Sequence, residues 1–274
     1  MNIAAPELAV ADERLIGQTT EEHVSRVVLS RPEKRNSLSR SMMAALSEAL
    51  SRAADDPAVR VVVVAADGPV FSAGHDLKEL TAHRTDPDGG RGFFAATMEQ
   101  CAELMQAIVR HPKPVVAEVA GLATAAGCQL VASCDLAIAS TDARFQTPGV
   151  HIGLFCSTPM VALSRSVSRK HALEMLLTGE MVPAGRAAEI GLINRVTTPE
   201  TLTSETMAFA ARIAEKSPLT LKIGKEAFQA QLDMPLADAY RHAAEVMVEN
   251  MLTGDAAEGI GAFLGKRAPN WTGR

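Results

Sequence analysis

The 274-residue chain carries 27 Lys and Arg against 32 Asp and Glu, a formal charge of −5, and 47% hydrophobic residues. That balance supports a globular core, excludes wholesale disorder and lacks the basic footprint of a nucleic-acid binder. One tryptophan, one tyrosine and eight phenylalanines leave few platforms for base stacking, and no run of about 18 or more apolar residues is present to span a membrane.

The N-terminal MNIAAPELAVADERLIG has no basic n-region and no long apolar run. It reads as neither a secretory signal nor a transit peptide, so a cytoplasmic location is expected. A poorly structured leader is expected over residues 1–23. VSRVVLS (24–30) then predicts a strand and RPEKRNSLS a loop. From Ser39, a suitable N-cap, Met43, Leu46, Leu50 and Ala53 recur at helical spacing. VRVVVVAAD (59–67) is a continuous apolar run of the kind that forms a strand covered on both faces.

GPVFSAGHDLKEL (68–80) predicts a small-residue loop entering a short helix, and AHRTDPDGGRG (82–92) a mobile surface segment. Met98, Cys101, Met105, Ile108 and Val109 form one apolar helix face that ends at HPKP. Strand PVVAEVA (114–120), helix TAAGCQLVASC and strand DLAIAS (135–140) follow. In MVALSRSV a helix is expected, with Thr158 at its N-cap and Pro159 at its first position. Helices RKHALEMLL and AGRAAEIGL and a short strand INRV lead to about 75 residues of amphipathic helix. The order predicts an α/β core over 24–200 and a helical region over 201–274 that packs on the core or on a neighbouring subunit.

Four cysteines, Cys101, Cys128, Cys134 and Cys156, form no CxxC pair and no Cys/His cluster. Reduced thiols and no metal site are expected. Two loops share a design: FSAGHD (71–76) and TAAGCQ (124–129) each set a glycine among small residues just before a helix. Unpaired N–H groups at helix starts carry positive potential, so two such loops side by side could hold one oxygen atom. Close helix-to-strand packing would also demand small residues there, and either loop alone leaves both readings open.

From about Val24 to Trp271 the chain resembles the enoyl-CoA hydratase/isomerase (crotonase) superfamily. The carriers are LSRPEKRNSLS, FSAGHDLKEL, KPVVAEVAGLATAAGCQLVASCDLAIAS, ARFQTPGVHIGL, ALEMLLTGEMVPAGRAAEIGLINRV and EGIGAFLGKRAPNW. ATAAGCQLVASCD through GLFCSTP is more closely similar to the enoyl-CoA hydratase domain-containing branch. The resemblance implies a spiral of ββα units with a C-terminal helical region, assembled as a homotrimer or a dimer of trimers. It implies no prosthetic group, and a ligand that is a coenzyme A thioester whose enolate is stabilised by two backbone N–H groups. Those donors fall on His75 and Ala126. Ser72, Ala73, Asp76 and Leu77 would border the adenine, Lys78 would lie near CoA, and Phe263 and Lys266 would reach CoA from a neighbouring subunit.

Family hydratases use two glutamates, and here those positions hold Gln129 and Gly149. An amide cannot exchange a proton near neutral pH, and glycine has no side chain. Ordinary hydration is therefore expected to be impaired. His151 would share a side with Gly149 if PGVHIG were extended, which makes it a candidate acid/base. Cys156 is a candidate nucleophile at a helix start, Ser157 could orient water, and Glu118 would be a candidate base if buried in its apolar strand.

Overall fold

The computed structural model describes residues 15–274. Most of the expected leader, 1–14, lies outside the described residues, but its end is a strand. β1 (Ile16–Glu21) pairs antiparallel with β2 (Val24–Leu29), Glu21 opposite Val24. The two-residue turn between them places Glu22 and His23 at φ 46° and 67°. Such turns usually announce themselves with Asn-Gly, and Glu-His carries no such signal.

Two sheets form the core. The larger has the order β1-β2-β3-β5-β7-β10 and the smaller β4-β6-β8-β9. β3 (Val61–Ala66), β5 (Val115–Val119) and β7 (Leu136–Ser140) are parallel neighbours in the larger sheet. Each is followed by a short strand of the smaller one: β4 (Val70–Ser72), β6 (Leu122–Thr124) and β8 (Arg144–Gln146). β9 (Val182–Pro183) closes the small sheet and β10 (Arg195–Thr197) the large one. This repeated strand–strand–helix step is the expected spiral.

The helices of the core follow the predicted periodicity. α1 (Arg40–Asp55) is capped by Ser39, whose side chain accepts from Met42 N, and it buries Met43, Leu46, Leu50 and Ala53. α2 (Leu77–Ala82) and α3 (Arg91–Val109) flank the 82–92 interval. That interval is held in place, since His83 stacks on Phe93 at 3.5 Å and pairs with Asp86 at 2.8 Å, and the Asp88 carboxylate accepts from Gly90 N and Gly92 N. α4 (Ala126–Ser133) is almost wholly buried. α5 (Ser157–Ser166) starts earlier than predicted: Cys156, not Thr158, is its N-cap. α6 (Arg169–Thr178) and α7 (Ala184–Glu189) complete the set.

Alternating residues of β3 serve two cores. Val62 and Val64 face the main cluster with Leu46, Phe71 and Leu130; Val61 and Val63 face α8 (Leu202–Ala214) through Ala210 and Ala214. The C-terminal helices thus divide. α8 is a layer of the core, whereas α9 (Pro218–Gln231) and α10 (Leu236–Met251) bury no residue. Polar anchors hold this arm: Lys225 Nζ donates to Asp135 Oδ2 at 2.6 Å, and in α11 (Gly254–Leu264) the buried Asp255 accepts from Ser217, Thr272 and Gly273.

Candidate active site

The two glycine loops meet. At the end of β4 three hydrogen bonds fix the backbone around His75: Ala73 N donates to Arg35 O, Gly74 N to Ser72 Oγ, and Leu38 N to Gly74 O at 2.7 Å. Asp76 caps α2 by accepting from Lys78 N and Glu79 N. Opposite, Ala125 N donates to Gln146 O and Gln129 N to Ala125 O, which starts α4. Among the described residues no backbone acceptor is bonded to the N–H of His75 or of Ala126, nor to those of Leu77 and Gly127 in the first turns of α2 and α4.

Close approach is built into the glycines. A β-carbon on Gly74, at φ +81°, would lie 2.9 Å from Ala125 Cβ and 3.1 Å from Ala126 N. One on Gly127 would lie 2.3 Å from Ser72 O. Glycine at both positions lets the FSAGHD backbone seat against the start of α4. Ala125 itself sits at φ 52°, ψ −120°, a conformation a non-glycine residue adopts only under strain. That strained step stands where β6 ends and α4 begins.

The His75 ring Nδ1 donates to Leu38 O at 3.3 Å, and its Nε2 is buried without a partner. Burial holds the imidazole below its ordinary value, against the Leu38 hydrogen bond that favours protonation, so the ring is neutral near pH 7. Gln129 is 4% exposed and its Oε1 accepts from the Cys101 thiol at 3.9 Å. Burial pushes Cys101 up to about 11, so the thiol stays a donor. Nothing at these two positions is a carboxylate.

Gly149 lies in a 3-10 turn, Pro148–Ile152, and not in an extended segment. With about three residues per turn, positions 149 and 151 point apart rather than together. His151 is exposed and its Nε2 donates to Thr178 O at 3.0 Å, away from Gly149. Cys156 does approach Gly149, donating nothing: its Sγ accepts from Gly149 N at 3.3 Å. Burial pushes this thiol up, which opposes a nucleophilic role. Ser157 is exposed and bonds only to Phe155 O.

Glu118 is buried, at 4% exposure, but it is no free base. Its carboxylate accepts from Arg26 at 2.6 Å and from Thr203 at 2.9 Å, on the α8 face of the large sheet and away from the glycine loops.

Of the expected CoA contacts, Ser72 is fully buried, Ala73 and Asp76 are half-buried, and Leu77 and Lys78 are exposed at the start of α2. A cleft of about 260 Å³ opens there, lined in part by Arg31, Lys34, Ser39, Asp76 and Glu79. In the sequence LSRPEKRNSLS carries no local signal that assigns Arg31 or Lys34 a place at the site. Phe263, 82% exposed, and Lys266 lie at the far end of α11.

A spiral of strand–strand–helix steps over two mixed sheets, followed by C-terminal helices, defines an α/β protein of the crotonase fold. The chain belongs to the enoyl-CoA hydratase/isomerase family, whose profile matches residues 19–274. It is 49% identical over 253 residues to enoyl-CoA hydratase domain-containing protein 3, mitochondrial, of Xenopus laevis, covering 92% of this chain and 84% of that protein. The human protein of the same name is 48% identical over 249 residues, 91% and 80% of the two chains. A crystal structure of the human domain-containing protein 3 superposes with a TM-score of 0.89 at 46% identity, covering 94% of this chain and all of that one. An enoyl-CoA hydratase structure from Mycobacterium smegmatis gives 0.89 at 48% identity, covering 94% and 99%.

These relatives correct one expectation. The N-terminal residues predict a cytoplasmic location, yet the domain-containing protein 3 relatives at 45–49% identity are mitochondrial proteins. An address segment is separate from the fold, so composition and core pattern carry no record of compartment. Among the described residues no helix is long and apolar enough to cross a membrane.

Proposed function

We propose that this protein binds an acyl-CoA thioester and stabilises the enolate form of its acyl group with the backbone N–H groups of His75 and Ala126. The observation that supports this reading is the seating of Gly74, the residue before His75, against Ala126 N at the start of α4. Each donor of such a pair contributes about 10²–10³ in rate where an oxyanion develops. The adenosine end would lie at Ser72, Ala73, Asp76, Leu77 and Lys78, with Phe263 and Lys266 supplied by a neighbouring subunit.

Ordinary hydration is not the reaction this site favours. Gln129 and Gly149 replace both proton-transferring carboxylates, and each lost acid or base costs about 10²–10⁴ in rate. A lyase or isomerase step that needs only enolate stabilisation fits the groups present. The loss of both carboxylates also supports a second reading, a non-catalytic acyl-CoA-binding or sequestering protein. Assembly as a homotrimer or dimer of trimers is supported by the apolar side chains that α9 and α10 leave exposed, among them Phe228, Leu236, Tyr240 and Met251.

Calorimetric titration with acyl-CoAs, followed by a crotonyl-CoA hydration assay on the same preparation, tests the proposal. Binding with negligible turnover is expected, and Gln129→Glu should raise the residual rate. Rapid hydration by the unaltered protein would sink the claim of impaired hydration, and no binding at millimolar ligand would sink both readings.

A further inference from the structure

The seat of the second carboxylate is filled, not vacant. Both backbone polar groups of Gly149 are taken up by the turn that follows it: its N–H donates to Cys156 Sγ at 3.3 Å, and its C=O accepts from Leu154 N at 2.9 Å. A β-carbon on Gly149 would lie 2.9 Å from Cys156 Sγ, 2.9 Å from Leu154 O and 3.2 Å from Cys156 N. All three atoms belong to residues 154–156. Not every glycine is forced in this way, since a β-carbon on Gly185 or Gly224 would meet nothing within 4 Å.

Cys156 faces inward. It stands at the N-cap of α5, where a side chain would ordinarily accept a backbone N–H of the first turn, yet it makes no such bond. Its sulfur instead lies against Gly149 and is 8% exposed. Burial keeps it protonated, so it is a soft, uncharged wall.

We propose that Cys156 is a specificity-determining residue: its sulfur occupies the space of a side chain at position 149, so the two exclude each other and the site is confined to acyl-CoA thioesters whose reaction draws no proton or water from that side. The inference deepens the acyl-CoA reading above and rests on it for its ligand.

A thermal-unfolding cycle over Gly149→Ala, Cys156→Ala and the double variant tests the exclusion without reference to ligand. Overpacking at 149 lowers Tm by about 4 °C in the unaltered background. In the Cys156→Ala background the loss falls to half or less, Leu154 O accounting for the remainder. Equal losses in both backgrounds would overturn the exclusion.

A second arm reads specificity. Gln129→Glu/Gly149→Glu is expected to hydrate crotonyl-CoA no faster than Gln129→Glu alone, and adding Cys156→Gly to raise the rate about 10²-fold. A triple variant no faster than the double overturns the specificity claim. Loss of the functional reading looks different, because the unaltered protein would then fail to bind acyl-CoA while the unfolding cycle still decides the exclusion.

Discussion

Gly127→Ala separates a packing requirement from a secondary-structure preference. Inside a helix the change ordinarily stabilises by about 1 kcal/mol, because alanine has less chain freedom to lose. Here the new β-carbon would sit 2.3 Å from Ser72 O, where ordinary contact begins at 3.4 Å, so the FSAGHD backbone must retreat by about 1 Å. The obstacle is main chain at the end of a buried strand and cannot swing aside. A cost of about 1–3 kcal/mol is expected, or a Tm lower by roughly 2–10 °C. Gly224→Ala, in open space on α9, is the control and should stabilise.

The same retreat moves His75 N away from Ala126 N. Acetyl-CoA and free CoA differ by a single acetyl group, so the change in their affinity ratio between variant and unaltered protein reads the carbonyl contact. Two hydrogen bonds at about 0.5–1.5 kcal/mol each predict a roughly tenfold smaller ratio in Gly127→Ala. If Gly127→Ala stabilised the protein as Gly224→Ala does and left the ratio unchanged, the loops would not be in the proposed register.

Three further outcomes are expected. Ala125→Gly relieves the strained φ of 52° and should raise stability by about 1 kcal/mol in chemical denaturation, whereas an ordinary helix-start alanine would lose stability on the same change. Glu118→Gln removes the charge facing Arg26 and should destabilise by about 1–3 kcal/mol while leaving acyl-CoA affinity unaltered in calorimetry, as a residue on the α8 face requires. Cys101 holds its proton to about 11 when folded and to 9.0 when unfolded, so its contribution is complete below pH 9 and is lost as pH rises toward 11. Unfolding free energy in that window should fall less steeply in Cys101→Ala, by about 1.4 kcal/mol per pH unit at most.

Much of the fold could be read from residue order. The continuous VRVVVVAAD run becomes β3 because both its faces are covered, and Ser39 caps α1 as its position predicts. β1 was missed since IGQTTE has little apolar alternation and its turn lacks glycine or asparagine. The two glycine loops were legible as a pair, because small residues before helices have a common physical cause. What sequence could not supply was direction. His151 drops away from Gly149 because residues 148–152 coil instead of extending, and Glu118 finds a partner 92 positions away in Arg26. Position at a helix start suggests a nucleophile in Cys156, but its contact with Gly149 crosses a turn whose path no local pattern reveals.

A crystal structure of the protein with a non-hydrolysable acyl-CoA tests the central claim most directly. The account predicts the thioester oxygen within about 2.7–3.1 Å of both His75 N and Ala126 N. An acyl-CoA bound with its carbonyl oxygen bonded to neither N–H would contradict it.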